Sequence, residues 1–223
     1  MAFIDELNTE QQQLIRTHLD GVIAANSKVN LTRIDTVENG MLLHIEDSLS
    51  ALPEIEAAPE GRYGDMGSGG GFPGIPLAVA TGRSTTLIDA RQKKMVVMQE
   101  IIEDLGLQDQ VDTFAGRAEL LAVKHPGEFA VLTARALAKL PVLLELASPL
   151  LQHDGQLICY KAQVEQQELD DAKRVQKATG MKLASDREFM LGDNQRRILV
   201  FQKYAEPAVK LPRTEGSAQK NPL

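Results

Sequence analysis

Asp65-Met66-Gly67-Ser68-Gly69-Gly70-Gly71-Phe72-Pro73-Gly74 is the stretch whose reading decides the fold. Glycine tolerates φ > 0 and lets the backbone approach a ligand closely, so this run reads as a tight, ligand-facing turn. Residues 62–66 before it form a short strand candidate. After it, Pro73 suits a first helical turn, and Ile75-Pro76-Leu77-Ala78-Val79-Ala80 reads as a buried helix. Strand, glycine turn and helix N-terminus make the first half of a nucleotide-binding βαβ unit.

A second carboxylate extends the pattern. Thr85-Thr86-Leu87-Ile88-Asp89 is a β-type run ending in an acid. It lies about twenty residues beyond the glycines, the spacing at which an acid reaches a ribose diol. Dinucleotide sites use G-x-G-x-x-G, whereas here the order is Gly67-x-Gly69-x-Gly71 with Asp65 just ahead. A carboxylate at Asp65 would repel a pyrophosphate but suit the sulfonium and ammonium of S-adenosylmethionine. A glycine-rich turn without a ligand is the plainer alternative.

The chain's 223 residues suit one ordinary domain plus an appendage. Its composition, 43% hydrophobic and 25% charged, is that of a soluble globular protein. No apolar run approaches the roughly 18 residues of a membrane span, and the N-terminus lacks a signal peptide's basic start and apolar core. Together with the lone Cys159, which sits in an apolar run and reads as an inert buried thiol, this implies a cytoplasmic protein without disulfides. There is no CxxC, HExxH or His/Cys cluster, so no metal site is expected. The net charge of −7 argues at first against nucleic acid. It is uneven, however: residues 1–60 hold 11 acids and 3 bases, leaving the remainder at +1 and free to carry basic patches.

Along the chain, Thr9-Glu10-Gln11-Gln12 has the form of a capping box before Leu14, Ile15, Leu19, Val22 and Ile23 at helical spacing. Asp35-Thr36-Val37-Glu38 opens a second helix with apolar positions Val37, Met41, Leu42, Ile45 and Leu49, ending before Pro53. His44, Asp47 and Ser48 fall on it and read as a solvated or hydrogen-bonded face. Residues 54–61 read as an acidic linker. Strands at 62–66, 84–89, 111–115, 129–134 and 156–160 then alternate with helices at 73–80, 92–105, 118–123, 141–152 and 164–179. Two last runs, 183–190 and 197–203, would pair antiparallel. Such alternation gives a mostly parallel sheet with helices on both faces.

Other polar residues stand where ligands bind in such sheets, outside the strands' carboxyl ends. Glu119, Arg135 and Lys161 follow the third, fourth and fifth strands, with capping or salt-bridge roles as the alternative. Arg91, Lys93 and Lys94 open a helix against its dipole, which makes phosphate contact a candidate. Arg196-Arg197 is placed at a hairpin tip. After Lys203, four prolines and glycines among small polar residues suggest a flexible tail whose Lys210, Arg213 and Lys220 could lie along phosphates.

Asn30-Leu31-Thr32, His44-x-x-Asp47-Ser48 and the block from Asp65 to Leu77 together resemble the bacterial RsmG (GidB) family. Arg117-Ala118-Glu119, Thr133-Ala134-Arg135-Ala136, Tyr160-Lys161, Arg196 and the tail from Leu211 to Leu223 match it in order, so the resemblance spans nearly the whole chain. Members are S-adenosylmethionine-dependent methyltransferases that modify N7 of a guanine in the decoding region of 16S rRNA. The resemblance implies cofactor contacts from Gly67, Phe72, the Ala118-Glu119 backbone and Arg135. Gly64 departs from the bulky apolar residue usual at its position, which suggests a loosely packed first strand.

The expectation is therefore an α/β class I (Rossmann-like) methyltransferase with a seven-stranded, mostly parallel sheet. Residues 1–60 would be an N-terminal helical extension, 61–204 the catalytic domain and 205–223 a flexible basic arm. Asp65, Gly67, Gly69, Gly71, Phe72, Asp89, Ala118, Glu119 and Arg135 would hold S-adenosylmethionine. Arg135 and Lys161 would position substrate, and no general base is expected. Arg91, Lys161, Arg196, Arg197, Lys210, Arg213 and Lys220 would face 16S rRNA, within the small subunit or its precursor, and the chain would be a monomer. Two other readings stay open: a dinucleotide-dependent oxidoreductase, and a non-catalytic RNA-binding assembly factor on the same fold.

Overall fold

The computed structural model describes residues 2–32, 34 and 36–223. A 3-10 turn (Phe3–Glu6) leads into α1 (Thr9–Asn26), capped by Asn8 through a reciprocal bond with Gln11. The box therefore begins one residue earlier than the sequence suggests. Asp35, the expected start of the second box, lies outside the described residues, and Thr36 caps α2 (Val37–Gly40). The helix continues through a π-helical stretch (Met41–Glu46) into α3 (Asp47–Leu49). The expected acidic linker is instead α4 (Leu52–Ala57), with Pro53 in its first turn and Ile55 fully buried. It is locked to the sheet by Arg83, whose guanidinium donates to the carbonyls of Ile55, Ala58, Pro59 and Gly61.

Then follow β1 (Arg62–Met66), α5 (Gly74–Thr81), β2 (Thr85–Asp89), α6 (Gln92–Asp104), β3 (Val111–Ala115), α7 (Ala118–Lys124) and β4 (Phe129–Arg135). The chain ends with α8 (Leu140–Ala147), β5 (Leu151–Lys161), α9 (Gln166–Thr179), β6 (Met181–Leu191), β7 (Asn194–Lys203) and α10 (Ser217–Lys220). The seven strands run β3-β2-β1-β4-β5-β7-β6, with β1 to β5 parallel and β7 antiparallel to both its neighbours. The order reverses between β1 and β4, and a crevice opens there above the carboxyl ends.

The glycine block is built for close packing as well as for turning. A Cβ on Gly74 would come within 2.3 Å of Leu87 Cδ2, so α5 can start directly over β2 only because that atom is absent. Gly64 corrects the expectation of a loose first strand: a Cβ there would lie 2.6 Å from Leu132 Cδ2 and 2.9 Å from the Phe129 ring. Leu132 and Phe129 already fill the space, so glycine is what the packing requires. The N-terminal helices are not set apart either. Ile15, Leu19, Val22, Ile45 and Leu49 share one apolar core with Leu77, Leu87 and Met98 of the α/β unit.

Candidate active site

Along the crevice the carboxyl ends of β3, β2, β1 and β4 contribute in that order. A cavity of about 400 Å³ is lined by Gly116–Glu119 after β3, Asp89–Arg91 after β2, Gly67–Gly70 and Phe72 after β1, and Arg135–Leu137 at β4. Leu31 and Thr32, from the segment between α1 and α2, and His44 of the π-helical stretch close one side, and Gln219 reaches the lip from the C-terminal tail. That volume falls in the range of small-molecule sites, roughly 300–1,000 Å³.

Asp89 shapes the loop and faces the cavity. Its Oδ2 accepts from Gly69 N–H (3.1 Å) and its Oδ1 from Arg91 N–H (2.8 Å). Each carboxylate oxygen can accept more than one hydrogen bond, so acceptor capacity remains for a ligand's hydroxyls. Ser68 has a buried hydroxyl with no hydrogen-bond partner among the described residues, and it lines the same cavity. An orphaned buried hydroxyl beside open space is a group waiting for a polar ligand atom.

Asp65 does not line the cavity, contrary to the expectation that it meets the cofactor. It is fully buried, with Oδ1 accepting from Thr133 Oγ1 (2.7 Å) and Oδ2 from Gly74 N–H (3.1 Å). Burial pushes its carboxyl up to about 6, partly offset by the Thr133 bond and nearby Arg135. The side chain points under the glycine loop, where it ties β1 to β4 and to the start of α5. Gly71 also turns inward: a Cβ there would meet Met98 Cε at 2.8 Å and His18 Nε2 at 3.0 Å.

At the β4 end stands a network that the sequence only hinted at. Arg135 donates through Nη1 to Asp47 Oδ2 (2.7 Å) and Leu43 O (3.2 Å), and through Nη2 to His44 Nδ1 (3.2 Å). A guanidinium has no lone pair to offer, so His44 Nδ1 must be the bare acceptor and Nε2 must carry the proton. Nε2–H then donates to Thr32 Oγ1 (2.7 Å), and the Thr32 hydroxyl hydrogen has no acceptor among the described residues. Burial, then the Arg135 charge, hold His44 down at about 4, so the ring is neutral at physiological pH. It stacks on Phe72 with centroids 4.4 Å apart and planes 3° from parallel. His18, from α1, tilts against the same ring and bonds Gly70 O (2.9 Å). Of the two expectations for His44 and Asp47, the hydrogen-bonded face holds and the solvated one does not, since both are buried. The π-helical stretch turns both toward β4, and no i, i+4 pattern reports such a turn.

Several expected RNA contacts are already engaged. Lys161 Nζ donates to Ala138 O (2.9 Å) and Glu168 Oε1 (2.7 Å), so it braces the loop after β4 and does not line the cavity. Arg196 binds Asp47 Oδ1 (2.6 Å), and Arg197 pairs with Asp186 and Glu188, within β7 and not at the hairpin tip. Arg213 is held by Glu145 (2.6 Å), and the tail is folded against the protein instead of being a flexible arm. The physical cause is two buried carboxylates, Glu119 and Glu145, which need partners and find them in the tail. Arg91, Lys210 and Lys220 are exposed. Lys94 is buried instead, donating to Leu31 O (3.0 Å) at the cavity edge.

The family model of GidB, rRNA small subunit methyltransferase G, matches residues 11–199. The chain belongs to this family. It is 33% identical over 222 residues to the ribosomal RNA small subunit methyltransferase G of Alkaliphilus metalliredigens, covering 97% of this chain and 92% of that one. To the Deinococcus radiodurans protein of the same name it is 35% identical over 205 residues, covering 90% and 81%. Among solved structures, geranyl diphosphate methyltransferase in complex with SAM superimposes with TM-score 0.53 at 11% identity, covering 70% of this chain and 85% of that one. The [4+2]-cyclase SpnF superimposes with TM-score 0.57 at 15% identity, covering 72% and 81%. A cyclase on the same sheet is a reminder that these likenesses establish the fold alone. Membership in the methyltransferase G family sets the dinucleotide oxidoreductase aside. The family's cofactor is S-adenosylmethionine, and the cavity suits it: a bare hydroxyl at Ser68, spare acceptors on Asp89, and an apolar slot at Met66, Ile88, Ala118 and Leu146.

Proposed function

We propose that this protein methylates N7 of a guanine in the decoding region of 16S rRNA, acting within the small subunit or its precursor. The observation that supports this most is the cavity itself. It joins a nucleoside-sized slot at the ends of β3 and β2 to a mouth at β4 framed by Phe72, His44, Thr32 and Arg135. S-adenosylmethionine supplies an electrophilic methyl group when bound there.

Guanine N7 offers a free lone pair and has no proton to lose. The residues at the mouth therefore have to align and exclude water; acid–base work is not required of them. Arg135 spends three donor contacts on Asp47, Leu43 and His44, which fixes its plane. Its Nε–H and one Nη2 hydrogen have no partner among the described residues and are available for the guanine O6 or a phosphate. Thr32 lines the same space, and its hydroxyl can donate there while its oxygen accepts from His44. His44 is neutral and both its nitrogens are occupied, so it is a poor base and a good wall.

The test is methylation of 16S rRNA lacking the modification, with isotope-labelled S-adenosylmethionine and mass mapping of nucleotides. A single 7-methylguanosine in the decoding region is the expected product. Replacing that guanine by 7-deazaguanosine should abolish transfer while RNA binding persists. Binding of S-adenosylmethionine without methyl transfer to subunits or precursors would favour the non-catalytic assembly factor.

A further inference from the structure

Residues 213–221 of the C-terminal tail are folded against α7 and α8, beside the cavity. Gly216 N–H donates to Glu119 Oε1 (2.8 Å), and Arg213 clasps Glu145 through Nε and Nη2, both at 2.6 Å. Arg213 Nη2 also donates to Asn221 O (2.7 Å), which closes the tail into a loop. Glu119 and Glu145 are only 6% and 3% exposed, so each carboxylate needs a partner within the protein. Ala218 is buried in the core formed with α7 and α8. Glu119 sits in the first turn of α7, directly after cavity-lining Ala118. The tail is thus anchored on the wall that it extends, and α10 brings Gln219 to the cavity's lip.

We propose that Gln219 is a cofactor-contacting residue that hydrogen-bonds the adenine edge of S-adenosylmethionine, with the folded tail as its support. This rests on the cofactor assignment above. Asp89, at the end of β2, offers a charge suited to hydroxyls, which puts the ribose there. The base then extends toward β3, where Met66, Ile88, Ala118 and Leu146 give an apolar slot for a flat heterocycle. Adenine shows a donor, its 6-amino group, beside ring-nitrogen acceptors. A carboxamide carries the matching acceptor and donor on one plane, as it does when Gln reads adenine in nucleic acids. Backbone groups at Gly116–Glu119 offer the other contacts on that side.

The experiment is calorimetric titration of the full-length chain and its Gln219→Ala and Gln219→Glu variants with S-adenosylhomocysteine. The same titrations use the analogue whose adenine amino group is replaced by a carbonyl oxygen. Gln219→Ala should weaken S-adenosylhomocysteine by about fivefold to tenfold. It should also lose most of the unmodified chain's preference for the amino over the oxo base. Hydrogen exchange in residues 213–220 should slow when the adenosyl ligand is added. Affinities within twofold of the unmodified chain, or an unchanged preference between the two bases, would overturn the assignment of Gln219. No binding by the unmodified chain would overturn the cofactor assignment itself, and this inference with it.

Discussion

Three buried titratable groups make the fold's stability depend on pH in a way that can be calculated. Burial holds His18 at about 3 and His44 at about 4, whereas both rise to about 6.5 in the unfolded chain. Their lowered values mean that acid protonates the unfolded chain first and draws the equilibrium toward it. Asp65 acts the other way. Its folded value, about 6, exceeds the ordinary 3.8, so the native state takes up that proton first and is favoured as pH falls through 6. From pH 7 to pH 5 each histidine costs about 2 kcal/mol and Asp65 returns about 1 kcal/mol, for a net loss of about 2–3 kcal/mol from these three groups. In a chain of this size that corresponds to a fall in Tm of roughly 5–10 °C. Replacing Asp65 by Asn removes the opposing contribution, so the loss over the same interval should grow to about 4 kcal/mol. His18→Gln, which keeps a donor for Gly70 O, should reduce the loss to about 0.5 kcal/mol. The assay is urea unfolding at pH 7, 6 and 5 followed by far-ultraviolet circular dichroism, since the chain has no tryptophan. Groups common to all three proteins cancel in the differences between their profiles. If His18→Gln and the unmodified chain lose the same stability between pH 7 and 5, the reasoning is wrong.

Other outcomes follow from the site and its supports. Asp89→Ala should weaken S-adenosylmethionine binding about tenfold to a hundredfold, through loss of charge-assisted bonds, and calorimetry will show it; unchanged affinity in a folded variant would remove Asp89 from the site. Lys161→Met leaves Glu168 without its cation at 14% exposure and should cost about 1–3 kcal/mol, recovered in part by adding Glu168→Leu, as read from paired Tm values. Gly64→Val forces branched carbons into Leu132 and Phe129 and should destabilise by about 1–3 kcal/mol; a Tm equal to or above that of the parent would contradict the packing described for β1. Single-turnover methylation should be flat from about pH 6.5 to 9, because His44 is already neutral there and N7 needs no base; a tenfold rise per pH unit would require a titrating base.

The sequence by itself determined the α/β alternation, the strand at 62–66 to the residue, and the place of the glycine turn that follows it. These are local signals: glycine freedom, β-type runs and the periodicity of buried faces. It also singled out Asp89, Gly67, Phe72, Ala118 and Arg135, all of which line one cavity. Only the tertiary structure decided what the side chains do there. Asp65 has the right spacing for a ligand, but which way a carboxylate points depends on Thr133, sixty-eight residues away. His44 and Asp47 lie on a helix whose π-turn shifts their facing, and their partner Arg135 is on a distant strand. The tail looked disordered because its own residues bury little apolar surface. Its order comes from Glu119 and Glu145, two carboxylates buried elsewhere in the chain, whose need for partners no reading of residues 205–223 could reveal.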